Sequence, residues 1–398
     1  MKAKRSVLPI IAIIAIVNAL GYGIIIPILY SYTQKFGLTD FQNGLLFAVF
    51  SLCQFISAPL IGRLSDKFGR KPLLILSISG TAVSFLLMAF APSAAWLFIA
   101  RALDGITAGN LPVASAVISD SMEPKDRAKG FGIIGASFGF GFIFGPAIAA
   151  LTLRFGDTTP FLISAIVAGV AVLLTGMLLP ETNTHIGKEV SKAKLFDFKK
   201  LLSALTDKHV GLTLIISLLY AFAFALFIYV YQPFSVKILH LSATQIAVNF
   251  TIIGLMGLVA QGILIPLLVK RVGDKKALIG SITVMMITFG AFFFVRTEAA
   301  FMVISIINAL ANAFIGPMLQ TILSKEADNA SQGQILGLNA SYMSLGMIFG
   351  PIIGGVLTTV SIPLPFLAAG GILLLCVILS SILLKKPLSP QAQIHAMS

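Results

Sequence analysis

Gly141-Phe142-Ile143-Phe144-Gly145-Pro146 returns 205 positions later as Gly346-Met347-Ile348-Phe349-Gly350-Pro351. Each copy lies inside an apolar run long enough to cross a bilayer, which takes about 20 residues. The Gly-x-Gly at 139–141 has no strand before it and sits in such a run, so it is not part of a nucleotide-binding loop. The interval recurs elsewhere. In-span prolines pair as Pro27 with Pro233, Pro59 with Pro266, Pro112 with Pro317 and Pro146 with Pro351. The helix-start signal Leu38-Thr39-Asp40-Phe41-Gln42 recurs as Leu241-Ser242-Ala243-Thr244-Gln245, each with a hydroxyl three residues before Gln, the pattern of a capping box. One such match would carry little. Together, at nearly one interval, they indicate a duplicated unit.

Composition says what solvent surrounds it. Of 398 residues, 57% are hydrophobic and 11% charged, with a mean hydropathy of +0.98. Soluble domains are roughly a quarter charged, so this chain lacks the polar surface to face water throughout. The net charge of +13 raises nucleic acid as a partner, but the basic residues fall in short clusters between apolar runs, where they set membrane orientation. Cys53 and Cys376 lie far apart inside apolar runs, so neither a disulfide framework nor a zinc site is expected. The first apolar run is too long for a signal peptide and is read as a span.

Spans are predicted near 8–30, 43–62, 73–91, 96–119, 132–152 and 160–180, then near 211–235, 246–268, 277–295, 299–323, 337–358 and 365–384. The expected fold is all-α, with twelve transmembrane helices in two parallel six-helix repeats. The halves are 1–180 and 211–398, the latter ending in a short tail. With both termini cytoplasmic, the outer loops hold Lys35, Arg154, Lys237 and Arg296 and Arg101 lies in a span, which leaves 23 of the 28 basic residues inside. The polar segment 181–210 joins the halves. Leu195, Phe198, Leu201, Leu202 and Leu205 share a helical face there, which suits an amphipathic helix on the inner leaflet; a solvated flexible linker is the other reading.

Between the second and third spans stands Gly62-Arg63-Leu64-Ser65-Asp66-Lys67-Phe68-Gly69-Arg70-Lys71-Pro72. It resembles the signature loop of the major facilitator superfamily, and more narrowly of its twelve-span drug:proton antiporters, the tetracycline-efflux-like pumps. That resemblance implies a conformational latch from Gly62, Asp66, Gly69, Arg70 and Lys71, with Arg70 reaching Asp120 at the end of span four. Gly62 is expected to permit close helix contact, and Asp66 to meet a helix N-terminus or a cation. The second-half counterpart, 270–276, keeps only glycine and basic residues of the pattern, so an asymmetric latch is expected. Gly141, Gly145 and Pro146 resemble the antiporter motif of the same family, with Ala149 and Ala150 where a glycine pair is usual. On physical grounds, small residues four apart let helices approach closely in lipid.

Charge inside the spans is scarce. Arg101 and Asp104 share a face of span four and are spaced to pair; a structural ion pair and a proton-coupling site both remain open. Arg101 also matches the family's span-four arginine, whose position the resemblance links to proton coupling. At an interval of 205 the second half has Ile306 and Ala309, so the repeat does not require charge there. Tetracycline pumps carry an acid in span one nine residues before the proline, where this chain has Asn18. That departure argues against tetracycline itself. Asn18, Tyr22 and Asn110, with Tyr220, Phe224, Phe227, Tyr231, Asn308 and Asn312, are expected to line an aromatic, amide-bearing pocket for amphipathic ligands, although in-span aromatics also commonly face lipid.

The resemblance therefore implies a proton-coupled exporter of small amphipathic molecules. It is expected to work as a monomer in a bacterial inner membrane, with no cofactor beyond the proton gradient and no nucleic-acid partner. A nutrient uniporter or importer, and a lipid flippase or non-transporting sensor of the same fold, are the alternatives. An enzyme is not expected, since the chain has no GxxxxGK[ST] or HExxH motif.

Overall fold

The computed structural model describes residues 2–123, 127–184, 186, 198–326 and 332–385. All regular structure among them is helical. In order these are α1 (Lys2–Gln34), α2 (Asp40–Phe68), α3 (Arg70–Ala89), α4 (Ala94–Thr107), α5 (Asn110–Ser121), α6 (Arg127–Thr152), α7 (Thr159–Leu178), α8 (Phe198–Leu205), α9 (Gly211–Lys237), α10 (Ala243–Val259), α11 (Ile265–Val272), α12 (Asp274–Phe294), α13 (Glu298–Glu326), α14 (Gln332–Val360) and α15 (Leu364–Lys385).

Eleven helical stretches among the described residues are long and apolar enough to cross a membrane. The twelfth span is the fourth, divided into α4 and α5 of 14 and 12 residues. Gly109 caps α5 and Pro112 falls in its first turn, where the missing N–H has no helical partner to lose. Hydropathy alone reads 96–119 as one helix; Gly109 and Pro112 divide it. A π turn at Ala260–Leu264 links α10 to α11, and Pro266 follows it at the start of α11. Proline cannot donate to the ladder and crowds the carbonyl four residues earlier, so the helix widens there.

Two compact units divide the chain. The first comprises Met1–Thr39, Leu46–Leu195 and Leu241–Thr251; the second comprises Asp40–Leu45, Phe196–His240 and Ile252–Ser398. The first has two hydrophobic clusters. One includes Ile11, Ile14, Leu74, Ile78, Val113 and Val117; the other includes Ile24, Ile28, Phe85, Met88, Leu97 and Ala100. Along α1 the clusters leave a gap around Asn18–Tyr22, along α3 around Thr81, and along α4 and α5 from Arg101 to Asn110. Those positions form one layer at mid-height.

The second unit repeats this plan. Leu214, Leu323 and Tyr342 centre one cluster. An aromatic core of Phe227, Tyr231, Phe234, Phe289, Phe292, Phe301 and Phe366 packs elsewhere, with ring centroids 4.7–6.3 Å apart in contacts such as Tyr231–Phe301 and Phe227–Phe366. Between them lie Tyr220, Asn308 and Asn312.

Of the segment 181–210, Leu195 and its neighbours lie outside the described residues, as does the tail beyond residue 385. Residues 198–205 do form a helix, α8. Leu201 and Leu205 pack on the cluster of Val210, Leu214, Leu323 and Tyr342, and the Tyr342 hydroxyl donates to the Leu201 carbonyl. Among the described residues of that face, Leu202, 66% exposed, points away.

Candidate functional site

The mid-height layer of the first unit is built from five helices. Arg101 and Asp104 on α4 pair at 3.2 Å and are 4% and 7% exposed. The carboxylate also accepts a hydrogen bond from Thr81 Oγ1 of α3 at 3.0 Å. The guanidinium lies 4.1 Å from the Phe50 ring centroid on α2, and Tyr22 of α1 meets the same ring edge-on at 5.3 Å. The Tyr22 hydroxyl donates to Gln54 at 3.2 Å. Arg101 Nε has no hydrogen-bond partner among the described residues. A single charge at such depth costs at least about 2.5–3.5 kcal/mol, and pairing, one hydroxyl and one aromatic face offset that cost. Because Asp104 can be neutralised by a proton while Arg101 cannot, protonation would leave a buried cation without its counter-charge, against the Phe50 ring.

The broken span places a second polar contact one step along. Asn110 Nδ2 donates to Asn18 Oδ1 at 2.9 Å, and Asn110 Oδ1 accepts from the Leu111 amide at 3.0 Å. The Ser57 hydroxyl donates to the Gly105 carbonyl at 2.8 Å and Thr107 Oγ1 to the Leu103 carbonyl at 2.8 Å, so the broken end of α4 does not leave those carbonyls bare.

In the second unit, the Tyr220 hydroxyl donates to Asn312 Oδ1 at 2.7 Å, and Asn308 Nδ2 donates to Thr288 Oγ1 at 2.8 Å. Phe224 stacks on Tyr220 at 5.9 Å. Tyr231, fully buried, lies instead in the aromatic core against Phe301. The structure therefore groups Asn18 with Asn110, Tyr22 with Arg101 and Asp104, and Tyr220 with Phe224 and Asn312.

At the loop end of the first unit, Arg70 reaches Asp66 at 2.6 Å, Asp120 at 2.9 Å and Ser65 Oγ at 2.6 Å. Sequence reading missed Glu181, whose carboxylate accepts from the backbone amides of Arg70 at 2.9 Å and Lys71 at 3.0 Å. It closes the N-terminus of α3, where free amides and the helix dipole favour an anion. Asn183 Nδ2 donates to the Asp66 carbonyl at 2.7 Å. Gly69 has φ 104°, a backbone that L side chains rarely adopt. At Gly62 the expected close contact is absent in this conformation, since an added Cβ would meet nothing within 4 Å.

The second unit has a corresponding bridge with its charges exchanged. Lys325, which is 205 positions after Asp120, pairs with Asp274. Asp274 directly follows Gly273, whose φ of 79° matches the role of Gly69. The 270–276 loop thus keeps the glycine and basic residues of the motif and, through Asp274, a bridge between corresponding helix ends.

Gly141 and Gly145 lie against α1. A Cβ at Gly145 would come within 2.6 Å of the Gly23 Cα, and one at Gly141 would strike the Ala19 backbone. Gly346 and Gly350 abut Ala221 and Ala225 of α9 in the same way. Both copies of the opening sequence repeat serve one packing purpose.

Comparison with known proteins agrees over most of the chain. The family model described as Major Facilitator Superfamily matches residues 11–264 and again 213–396. Tetracycline resistance protein, class C, of Escherichia coli is 31% identical over 363 residues, covering 89% of each chain. Multidrug resistance protein 2 of Bacillus subtilis (strain 168) is 30% identical over 362 residues, again 89% of each. The crystal structure of the human organic anion transporter MFSD10 (TETRAN) has a TM-score of 0.72 at 22% identity, covering 95% of this chain and 99% of that one, a likeness of fold. With its duplicated halves, its loop signature and these relatives in agreement, the chain belongs to the major facilitator superfamily.

Proposed function

We propose that this protein exports small amphipathic molecules by proton antiport with alternating access, Asp104 carrying the proton and Arg101 responding to it. The buried Arg101–Asp104 pair carries this reading, because it is a titratable group at mid-height beside a helix break. Tetracycline and multidrug resistance proteins among its relatives support the export of drug-like compounds. Protonation of Asp104 removes its attraction for Arg101, and the freed guanidinium then rests on Phe50 alone, next to Tyr22. An aromatic substrate competing for that ring face would in turn send Arg101 back to Asp104 and expel the proton. Binding and proton release are thereby linked through one cation.

On this reading Asn18, Tyr22 and Asn110 contact substrate from the half 1–180. Tyr220, Phe224, Asn308 and Asn312 are the substrate residues of the half 211–398, Tyr231 serving the aromatic core. Segment 181–210 joins the halves on the cytoplasmic side, with both termini, in a bacterial inner membrane. Asp66, Arg70 and Asp120 stabilise one conformation, and the contacts of Gly141, Gly145 and Pro146 keep α6 fixed on α1. The transporter works as a monomer without a cofactor.

Purified protein in proteoliposomes, with ethidium as probe, tests the coupling. Asp104→Asn should abolish ethidium accumulation driven by a pH gradient while sparing ethidium exchange down its own gradient. Gradient-driven accumulation at the wild-type level in that variant rejects the assignment and moves coupling to Asp120 or another ion.

A further inference from the structure

The second unit holds a cavity of about 380 Å³ between α13 and α14, walled by Gly316, Leu319, Leu336 and Met343, with Gln320 and Asn339 as its polar groups. None of its lining residues is charged. Gly316 is one helical turn from Asn312, so the cavity starts about 6 Å along the axis from the Tyr220–Asn312 pair and extends toward the end of α13 at Glu326.

Asn339 is 8% exposed, and its Oδ1 has no hydrogen-bond partner among the described residues. A buried carbonyl left in this state is unfavourable. The repeat does not demand it, since the residue 205 positions earlier is Ile134. Gly316 is equally telling. A Cβ there would meet nothing within 4 Å, so this glycine, unlike Gly346 or Gly350, is not kept for helix contact. It leaves the cavity wall open instead.

We propose that this cavity, whose Gly316 wall lies one turn from Asn312, is a second ligand subsite, holding the hydrogen-bond-donor end of an amphipathic molecule, an amine, amide or hydroxyl, against Asn339 Oδ1. The volume suits a small drug-like group, the walls take its apolar body, and an amide oxygen can only accept. The lining offers no cation to pair with a phosphate or carboxylate headgroup. The proposal rests on the transporter reading for its substrate class, but its test does not use the proton gradient.

The protein in phosphatidylcholine nanodiscs is titrated with ethidium, which has two aryl amines, and with tetraphenylphosphonium, a cation of similar bulk with no donor. Asn339→Ala should weaken ethidium about fivefold, the equivalent of one neutral hydrogen bond, and leave tetraphenylphosphonium unchanged. Gly316→Leu, which fills the cavity and favours the helix, should weaken both. A change of less than twofold in the ratio of the two Kd values in Asn339→Ala overturns the proposal, as does failure of the wild type to bind ethidium. Displacement of ethidium by phosphatidylethanolamine discs would make the occupant a lipid amine and defeat the substrate assignment. Loss of proton coupling would leave the Kd ratio untouched, so the two readings fail separately.

Discussion

Adding one methyl group at Gly145 tests whether helix contact governs the sequence repeat. In this structure the new Cβ of Gly145→Ala would lie 2.6 Å from Gly23 Cα and 2.9 Å from the Ile24 nitrogen. Both are backbone atoms and cannot swing aside, so α1 and α6 must separate. Overpacking of this kind costs about 1–3 kcal/mol. Replacing glycine by alanine within a helix returns about 1 kcal/mol. Gly135 provides the control, since it lies on the same helix and its Cβ would meet nothing within 4 Å. Gly135→Ala should therefore gain up to about 1 kcal/mol, and the two variants should differ by the overpacking cost. Cys376 is buried and reports unfolding when a thiol-reactive dye is present during heating in detergent. Gly145→Ala should melt below wild type or close to it, and Gly135→Ala above. If Gly145→Ala melts as high as Gly135→Ala, the close approach of α1 and α6 is not what keeps Gly145 in the sequence.

Two further substitutions address the loop ends. Glu181→Ala removes the acceptor of the Arg70 and Lys71 amides and should weaken the start of α3 by about 1–2 kcal/mol; faster hydrogen exchange confined to residues 69–74 is expected, and unchanged exchange there refutes the capping role. Lys325→Asp and Asp274→Lys should each slow ethidium efflux modestly, as for a partly exposed pair worth up to about 1 kcal/mol. The double variant should recover at least half the loss, and a double variant no better than either single rejects the pairing.

What could be read from sequence was whatever depends on spacing. Whereas the reach of Arg70 to Asp120 was legible only through the family resemblance of the 62–72 loop, the Gly141–Pro146 repeat and the three-residue interval of Arg101 and Asp104 depend on helical periodicity and pairing, which adjacent letters encode. The capping box was legible for the same reason, and Ser242 and Gln245 bond reciprocally at 2.9 and 3.3 Å. The break in span four also had its signal, Gly109 followed by Pro112, but hydropathy averages over such punctuation. Glu181 had no local pattern at all, because its partners are 110 and 111 residues away. Nor does a stripe of aromatics say which neighbours it meets: Tyr220 and Tyr231 share a helix, yet one bonds an amide and the other fills a core.

The departures from the repeat are more informative about mechanism than the matches. Thr81 and Thr288 stand 207 apart, close to the interval of the prolines, and each bonds a polar side chain of the next helix inward, Asp104 in one unit and Asn308 in the other. The duplication thus kept the geometry of a hydroxyl meeting a polar partner while charge appears in only one copy. An asparagine cannot change charge, and an aspartate next to an arginine can. If both copies carried the ionisable pair, two protons would have to move for each reorientation or one buried charge would remain unmatched, at a cost of several kcal/mol. On the proposed reading, with the buried Arg101–Asp104 pair in the first unit alone among the described residues, one proton event would suffice, and the amides and aromatics of the second unit would be left to hold uncharged parts of a ligand. The exchanged charges of Arg70–Asp120 and Lys325–Asp274 fit the same reasoning. A bridge at a helix end needs opposite signs but not a particular order, so the repeat can invert it. Under the proposed coupling the Arg101–Asp104 pair would have no such freedom, because of the two groups the acid alone could carry the proton.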